Sequence, residues 1–193
     1  MSGARRGAGR DRLISAAKEL LWETGYEQMS PGDVLRRSGI GQGSLYHHFE
    51  GKLALALAAL DAMVAEEKAA IDAVFAAEKS PRQRIADYLG RERQMLRGCR
   101  LGRLANETAM ETPEFRAAVA DYLGHVERRL AEAVREGQEA GTLNRTLDPT
   151  EAGALFLAVI EGGYVLARAH WDEARMLVAL AGAQAVLRQM SVT

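Results

Sequence analysis

Apolar residues recur along most of the chain at intervals of three and four positions, the spacing of one face of an α-helix. Such stripes begin near Arg10 and return in successive segments to about residue 190. The alternation of apolar and polar residues that marks a half-buried strand is not sustained anywhere. The pattern therefore predicts an all-α protein with about nine helices and no sheet.

Capping residues divide these stripes into separate helices. Ser30-Pro31, Ser80-Pro81 and Asp148-Pro149 each place a side-chain N-cap before a proline at the first helical position. Gly25 and Gly141 follow the last apolar residues of two stripes, where glycine favours a helix end. The predicted helices span about 10–24, 31–37, 42–49, 51–77, 81–97, 101–110, 113–140, 149–169 and 172–190.

Length and composition are those of an ordinary soluble protein of 193 residues, 48% hydrophobic and 26% charged. Residues 1–9 are small and basic, and we expect them to be disordered when free. The single cysteine, Cys99, excludes an intramolecular disulfide and is typical of a reducing compartment. No signal peptide is recognisable, and the apolar stretch Ala152–Ile160 is too short for a membrane span. We therefore expect a cytoplasmic protein with no membrane contact.

Charge is distributed unevenly along the chain. Residues 1–52 contain 8 Lys and Arg against 6 Asp and Glu, whereas the remainder contains 17 against 20. Arg5, Arg6, Arg10 and Arg12 lie within the first dozen residues. A basic head on an acidic body is compatible with nucleic-acid binding at one end.

The stretch from Ser30 to Lys52 differs from the rest of the chain. It predicts two short helices joined by the glycine-containing turn at Gly39–Gly41, which is the plan of a helix-turn-helix. In that plan the second helix enters the major groove, so Gln42 and Ser44 are expected to meet base edges. Later polar side chains are expected to bind phosphates. The predicted DNA-binding residues are Ser30, Gln42, Gly43, Ser44, Tyr46, His47, His48 and Lys52.

This stretch resembles the signature of TetR-family transcriptional repressors. The match extends from Leu13 to Leu55 and includes Gly25-Tyr26. It departs at Gly41, where the family usually has serine, and at Pro31-Gly32, where threonine and a variable residue are frequent. The residues in register are Gly39, Ile40, Gly43, Leu45, Tyr46, His48, Phe49 and Lys52.

The resemblance implies an all-α homodimer that binds a palindromic operator and releases it when a small molecule binds. It implies a three-helix DNA-binding domain at 1–50 and a larger effector-binding and dimerisation domain at 51–193. In this family the last two long helices form the dimer interface, here about 149–169 and 172–190. The nearly all-apolar character of the first of these fits a helix with both a core face and a partner face.

A ligand pocket is expected in the larger domain, mostly apolar with a few polar groups. Glu92 is predicted on an inward face between Leu89 and Leu96, and Glu161 lies within an apolar helix. Each is either a carboxylate paired with arginine or a polar anchor for a ligand, and both in one site would suit a cationic or hydroxyl-rich ligand. The predicted ligand-binding residues are Tyr88, Glu92, Met95, Cys99, Phe115, Tyr122, Phe156, Glu161 and Tyr164.

Cys99 has two interpretations. Arg97, Arg100 and Arg103 surround it in sequence, and nearby cations lower the pKa of a thiol and raise its reactivity. Cys99 is then a redox-active or electrophile-sensing thiol, as in some members of the resembled family. The other interpretation is a small buried residue.

Other functions were weighed on the same residues. His47 and His48 are adjacent on a helix and point in different directions, so no metal site or other cofactor is predicted. No nucleophile–base spacing or phosphate-binding loop indicates an all-helical enzyme or carrier, so the protein is predicted not to be an enzyme. An interaction module that has lost DNA binding is the remaining alternative, because Gly41 and Gly43 weaken the second short helix.

Overall fold

The protein is all-helical in this computed structural model, which describes residues 2–192, with side chains from Gly7 onward. One isolated β-bridge joins Leu143 to Ser191, and residues 2–192 contain no β-strand. The predicted fold class is confirmed, with eight α-helices in this range and two 3-10 turns, Gly102–Asn106 and Thr108–Glu111. The helices are α1 Ser2–Glu23, α2 Pro31–Ser38, α3 Gln42–His48, α4 Lys52–Phe75, α5 Pro81–Gly90, α6 Pro113–Glu139, α7 Pro149–His170 and α8 Ala174–Met190.

The predicted helix starts are confirmed by side-chain caps. The Ser30 hydroxyl accepts a hydrogen bond from the Asp33 amide at 3.1 Å. At α5 the Ser80 hydroxyl accepts from the Gln83 amide at 3.2 Å. At α7 the Asp148 carboxylate accepts from the Thr150 amide at 2.8 Å. Each bond satisfies one of the backbone donors that the first turn of a helix leaves unpaired.

The chain divides into two compact units. The first comprises the chain up to Glu66 together with Arg100–Ala120, and thus holds α1, α2, α3 and the two 3-10 turns. Its core is formed by apolar side chains of these helices, of the turn before α2, and of the parts of α4 and α6 that belong to this unit. Its fully buried members include Leu13, Leu21, Met29, Val34, Leu45, Leu55, Leu60 and Phe115.

The second unit comprises Glu67–Cys99 together with the chain from Asp121 onward. Helices α6 and α7 approach closely within it at Gly153, where a Cβ atom would lie 2.6 Å from the Glu127 carbonyl oxygen. Glycine at this position lets the two backbones meet. The fully buried core side chains of this unit include Phe75, Ile85, Leu89, Val126, Leu130, Val134, Phe156 and Met176.

Two predicted helix boundaries are wrong. Helix α1 begins at Ser2, within the segment expected to be disordered, because extending an existing helix adds a backbone hydrogen bond per residue without a new nucleation cost. Helix α5 ends at Gly90, seven residues before the predicted end at 97. Arg91 is extended, with φ −59° and ψ 148°, and the next residues leave the helix. The predicted helix 101–110 is two 3-10 turns.

Helix α7 is longer than its most apolar stretch. It continues through Glu161, Gly162 and Gly163 for 22 residues, and its most apolar window has a mean hydropathy of 1.4. By length and composition alone it could cross a membrane, contrary to the expectation from Ala152–Ile160. Core helices of soluble proteins have the same properties, so this single helix is weak evidence for a membrane span.

Candidate functional site

Helices α2 and α3 are joined by a sharp turn in the first unit. Gly39 adopts the left-handed region with φ 64°, and its amide donates to the Leu35 carbonyl oxygen at 2.9 Å. This conformation strains residues with a Cβ, so glycine is favoured. At the start of α2 the Ser30 hydroxyl also donates to the Asp33 carboxylate at 2.6 Å. Ser30 is therefore engaged in capping α2.

Helix α3 presents a polar face around a small apolar anchor. Leu45 and Phe49 are buried, whereas Gln42, Tyr46 and His47 are exposed. Two further polar residues predicted to face DNA are half-buried, namely Ser44 and His48. The structure thus brings the predicted base-reading residues Gln42 and Ser44 together on one short helix with Tyr46, His47 and His48, whereas Lys52 begins α4.

Helix α3 begins without a side-chain cap. Gly41 is its N-cap residue and is extended, with φ −73° and ψ 151°. Nothing lies within 4 Å of an added Cβ at Gly41 or Gly43, so this end of the helix is open. Open space at two glycines permits close approach of another surface to the backbone.

Lys52, the first residue of α4, is held against the turn that follows α1. Its ammonium group donates to the Glu27 carbonyl oxygen at 3.1 Å. The same group lies 4.4 Å from the centre of the Tyr26 ring, within the range of a cation–π interaction. Lys52 is therefore positioned within the first unit while it remains half-buried.

The segment Arg100–Thr108 also forms hydrogen bonds with the turn that follows α1. Arg103 donates to the carbonyl oxygen of Trp22, and to that of Glu23 at 3.1 Å. The Glu27 carboxylate accepts from the Thr108 amide at 2.8 Å and from its hydroxyl at 2.6 Å. Both bonds lower the pKa of the Glu27 carboxyl group, and the bond from the Thr108 hydroxyl has the larger effect. No periodicity along the chain predicts these contacts, because they join residues about eighty positions apart.

The second unit contains a group of interacting ionisable side chains, which we term the polar cluster. Electrostatic interactions connect its members, and five of them were predicted as ligand-binding residues. Arg91 and Arg93 were not predicted. The polar cluster consists of Tyr88, Arg91, Arg93, Cys99, Tyr122, Glu161 and Tyr164.

Burial keeps the phenols of the polar cluster protonated. It raises the pKa of Tyr88 to about 12, and it raises the pKa of Tyr122 and that of Tyr164 further above the ordinary value. Burial also raises the pKa of Glu161, although a hydrogen bond with Cys99 and the charge of Arg93 oppose the shift. Burial lowers the pKa of Arg93. Burial thus disfavours ionisation of Glu161 and keeps the three phenols in the form that can donate hydrogen bonds.

Other predicted ligand-binding residues lie elsewhere. Glu92 is exposed, so its predicted position on an inward face is wrong; α5 has ended and the chain there no longer has helical periodicity. Phe115 lies in the first unit, with its ring 5.5 Å from the Tyr26 ring, edge to face. Phe156 is fully buried in α7, and Met95 is half-buried in the turn before Cys99.

Cys99 is buried, with 6% of its surface exposed. Its thiol donates towards the Tyr122 hydroxyl at 3.9 Å and shares a hydrogen bond with Glu161. The hypothesis that Cys99 responds to oxidants stays a prediction. Cys99→Ser and wild type would be compared for operator release under oxidant, and equal release by both would end that hypothesis.

Two family models match this chain. Residues 13–59 match the model described as bacterial regulatory proteins, tetR family. Residues 82–183, more than half of the chain, match the tetracyclin repressor-like C-terminal domain. The protein therefore belongs to the TetR family of DNA-binding transcriptional regulators, as the helix-turn-helix signature indicates.

Relatives agree with this assignment. The transcriptional regulator AcuR of Cereibacter sphaeroides is 29% identical over 163 residues, which is 81% of this chain and 74% of AcuR. A crystal structure of regulatory protein TetR from Rhodobacter sphaeroides superposes with a TM-score of 0.80 and 27% identity, covering 94% of this chain and 98% of that one. The reduced form of Escherichia coli NemR has the same fold, with a TM-score of 0.83, 21% identity and coverage of 96% and 97%.

Proposed function

We propose that the protein is a ligand-responsive homodimeric repressor without enzymatic activity. It binds a palindromic operator in the cytoplasm through residues 1–50 and releases it when a small molecule binds within residues 51–193. The observation that carries the proposal is helix α3, whose polar side chains surround the buried Leu45 and face outward. Two relatives, DhaR of Mycobacterium and NemR of Escherichia coli, are transcriptional repressors, which supports the proposal of repressor action.

The DNA contacts of the proposal divide into two kinds. Gln42 and Ser44 stand in the first turn of α3, where side chains of a recognition helix reach base edges. Tyr46, His48 and Lys52 supply hydrogen-bond donors and charge for phosphates, which fix register without reading sequence. Ser30 caps α2, so its contribution is to hold the start of that helix rather than to read bases.

An exposed apolar face on α7 and α8 supports a homodimer. Val165 on α7 is 63% exposed and Val178 on α8 is 71% exposed, although both lie in apolar helices. Gly162 and Gly182 open onto the same groove with nothing within 4 Å of an added Cβ. A second copy packed here makes a self-complementary interface. A twofold dimer presents two recognition helices to half-sites roughly 34–36 Å apart, one turn of DNA.

The effector site of the proposal includes the polar cluster. The cluster combines buried phenols, a thiol, a carboxyl group and arginine side chains, which are polar groups of the kind that orient a ligand in a pocket. Cys99 is followed directly in the chain by Arg100–Thr108, whose side chains and amides hold the turn after α1. A ligand that shifts Cys99 therefore acts on a continuous segment, part of which contacts the turn after α1.

The experiment is a gel-shift assay with the DNA upstream of the protein's own gene. We expect a discrete complex on a fragment that contains an inverted repeat, and we expect this complex to be lost when either half-site is scrambled. A fragment of equal length and base composition without the repeat is the control. Equal retardation of both fragments would contradict operator binding.

A further inference from the structure

The chain leaves helix α5 at Gly90, and this changes which side chains enter the polar cluster. In residues 91–94 burial alternates: Arg91 and Arg93 are half-buried, whereas Glu92 and Gln94 are exposed. None of these four residues is helical, so the helical period no longer decides which of their side chains are buried. The side chains of Arg91 and Arg93 are therefore partly buried here, whereas a continued helix was predicted to bury the carboxylate of Glu92.

Arg93 is committed to the backbone. Its guanidinium donates to the carbonyl oxygens of Leu89 at 2.9 Å, Arg91 at 2.8 Å and Tyr88 at 2.6 Å. These bonds satisfy carbonyl groups that the end of α5 leaves without partners. Arg93 thus caps the C-terminal end of α5 and holds the residues that follow it in place.

Arg91 is held much less firmly. It donates to the Glu67 carboxylate at 3.4 Å, near the long limit for a hydrogen bond. Its guanidinium carbon lies 5.2 Å from the centre of the Tyr88 ring, which supports the group without using its N–H donors. A guanidinium has five N–H donors in a planar fork. Most donors of Arg91 are therefore available to another acceptor.

Apart from the Glu67 carboxylate, the ionisable groups that act on Arg91 are tyrosine hydroxyls, which can donate hydrogen bonds. Tyr122 and Tyr164 are close enough to influence its ionisation, and burial keeps both hydroxyls protonated. The Glu161 carboxyl group is also pushed towards its protonated form by burial. Donors in a poorly solvated place need an acceptor, and an ionised acceptor makes the strongest bonds.

We infer that the effector is a small organic anion with one carboxylate, bound by the Arg91 guanidinium and the neighbouring tyrosine hydroxyls. The inference rests on the proposed function and adds the chemical class of its ligand. A planar carboxylate matches the guanidinium fork with two parallel bonds. A single negative charge also suits the cluster, because Glu67 already offsets part of the charge of Arg91 and Arg93 is engaged by carbonyls. A phosphate dianion would bring excess negative charge.

Straight-chain carboxylates of two to eight carbons test the inference, each compared with its primary amide and its alkyl phosphate. Binding is measured with the full-length protein by thermal shift and calorimetry. We expect at least one carboxylate to bind, and its amide and alkyl phosphate to bind at least about tenfold more weakly, the size of one lost charge-assisted bond. Equal binding of amide and carboxylate, or no binding by any carboxylate, would overturn the inference.

Substitution of Arg91 tests whether this residue binds the carboxylate. Arg91→Gln should weaken carboxylate binding by about tenfold or more, since it removes the charge and the fork. Arg82→Gln is the matched control, because Arg82 is exposed on α5, away from the polar cluster's residues in the chain. A melting curve and operator binding of ligand-free Arg91→Gln establish that it folds. Wild-type affinity in folded Arg91→Gln would overturn the assignment.

The failure of the proposed function is distinguishable from the failure of this inference. If the wild-type protein binds a carboxylate but shifts no inverted repeat, the ligand class stands and the repressor proposal fails. If it binds the operator and no carboxylate binds the protein, only the ligand class fails.

Discussion

The Lys52 ammonium group lies 4.4 Å from the centre of the Tyr26 ring, so a residue expected to bind phosphate rests on the turn that follows α1. Its hydrogen bond to the Glu27 carbonyl oxygen fixes the side chain further. A lysine held in place loses less rotamer entropy when it binds DNA. The turn is itself bound by Arg103 and Thr108, so the position of Lys52 depends on the segment that follows Cys99.

Lys52→Ala should weaken binding to operator and to unrelated DNA by a similar factor, because phosphate contacts carry no sequence information. The slope of log affinity against log salt should fall in magnitude by about 1, for one lost phosphate contact. Fluorescence anisotropy at several salt concentrations measures both quantities. Lys79→Ala, which changes the same charge at an exposed residue of the second unit, is the control and should leave the slope unchanged. A slope in Lys52→Ala equal to that of wild type would rule out the contact.

Gln42→Ala and Ser44→Ala should instead relax base preference. Side chains in the first turn of a recognition helix meet base edges, and a good pair discriminates by about 1–3 kcal/mol. The measurement is binding to a set of operators in which each half-site base pair is replaced in turn. Each variant should lose discrimination at one or two base pairs and keep it at the others. Uniform loss at every position would show that these residues act on phosphates.

Gly153→Ala should destabilise the fold by about 1–3 kcal/mol, the usual cost of overpacking. The new Cβ would lie 2.6 Å from the Glu127 carbonyl oxygen and 3.2 Å from the Ala131 Cβ, so α6 and α7 must separate. Gly124→Ala on α6 is the control, because only the flexible end of Arg128 lies nearby and alanine favours the helix. Denaturant unfolding compares the variants. A Gly153→Ala protein as stable as Gly124→Ala would refute the close approach.

Val178→Glu should convert the dimer into monomers without unfolding the protomer. Val178 is 71% exposed in a single chain, so a carboxylate there meets water unless a second copy covers it. Burying two unpaired carboxylates at a twofold interface is costly. Light scattering after size exclusion gives the mass, and circular dichroism gives the helix content. Val192→Glu, at another exposed valine, should remain dimeric. A dimeric Val178→Glu protein would exclude this face as the interface.

Glu161→Gln should raise thermal stability at about pH 7 and have little effect near pH 4, because the folded protein resists ionisation of Glu161. Burial raises the pKa of this carboxyl above its ordinary 4.5, so the folded state binds more protons than the unfolded state. Stability from Glu161 is thus fully present below pH 4.5 and is lost as pH rises through the folded pKa. Melting temperatures across this range test the prediction against the exposed Glu139→Gln. A gain that is equal at both pH values would contradict it.

Much of the fold could be predicted because its signals are local. Ser30, Ser80 and Asp148 cap helices within three residues of their own positions, and Leu45 follows a stripe that spans only a few turns. The end of α5 is different. Apolar residues continue past Gly90, and the helix stops where Arg93 takes up the free carbonyl groups.

The candidate site divides in the same way. The residues predicted to bind DNA all lie within Ser30–Lys52, so one motif identifies them together. The polar cluster is assembled from three separate segments, and helical periodicity placed Glu92 inward where the structure places Arg91 and Arg93. The ligand proposed from the structure therefore has the opposite charge to the one that Glu92 would favour. The contact between Glu27 and Thr108 depends on tertiary structure alone.

Operator binding and its release by a ligand are tested most directly by the affinity of the purified protein for its own upstream inverted repeat, measured by anisotropy as salt concentration and carboxylate concentration are varied. We predict that log affinity falls steeply and linearly with log salt, because bound phosphates release counterions. We also predict that a carboxylate which stabilises the protein releases the repeat. A flat salt response would contradict DNA binding by this protein, and a complex that persists at saturating ligand would contradict its control by an effector.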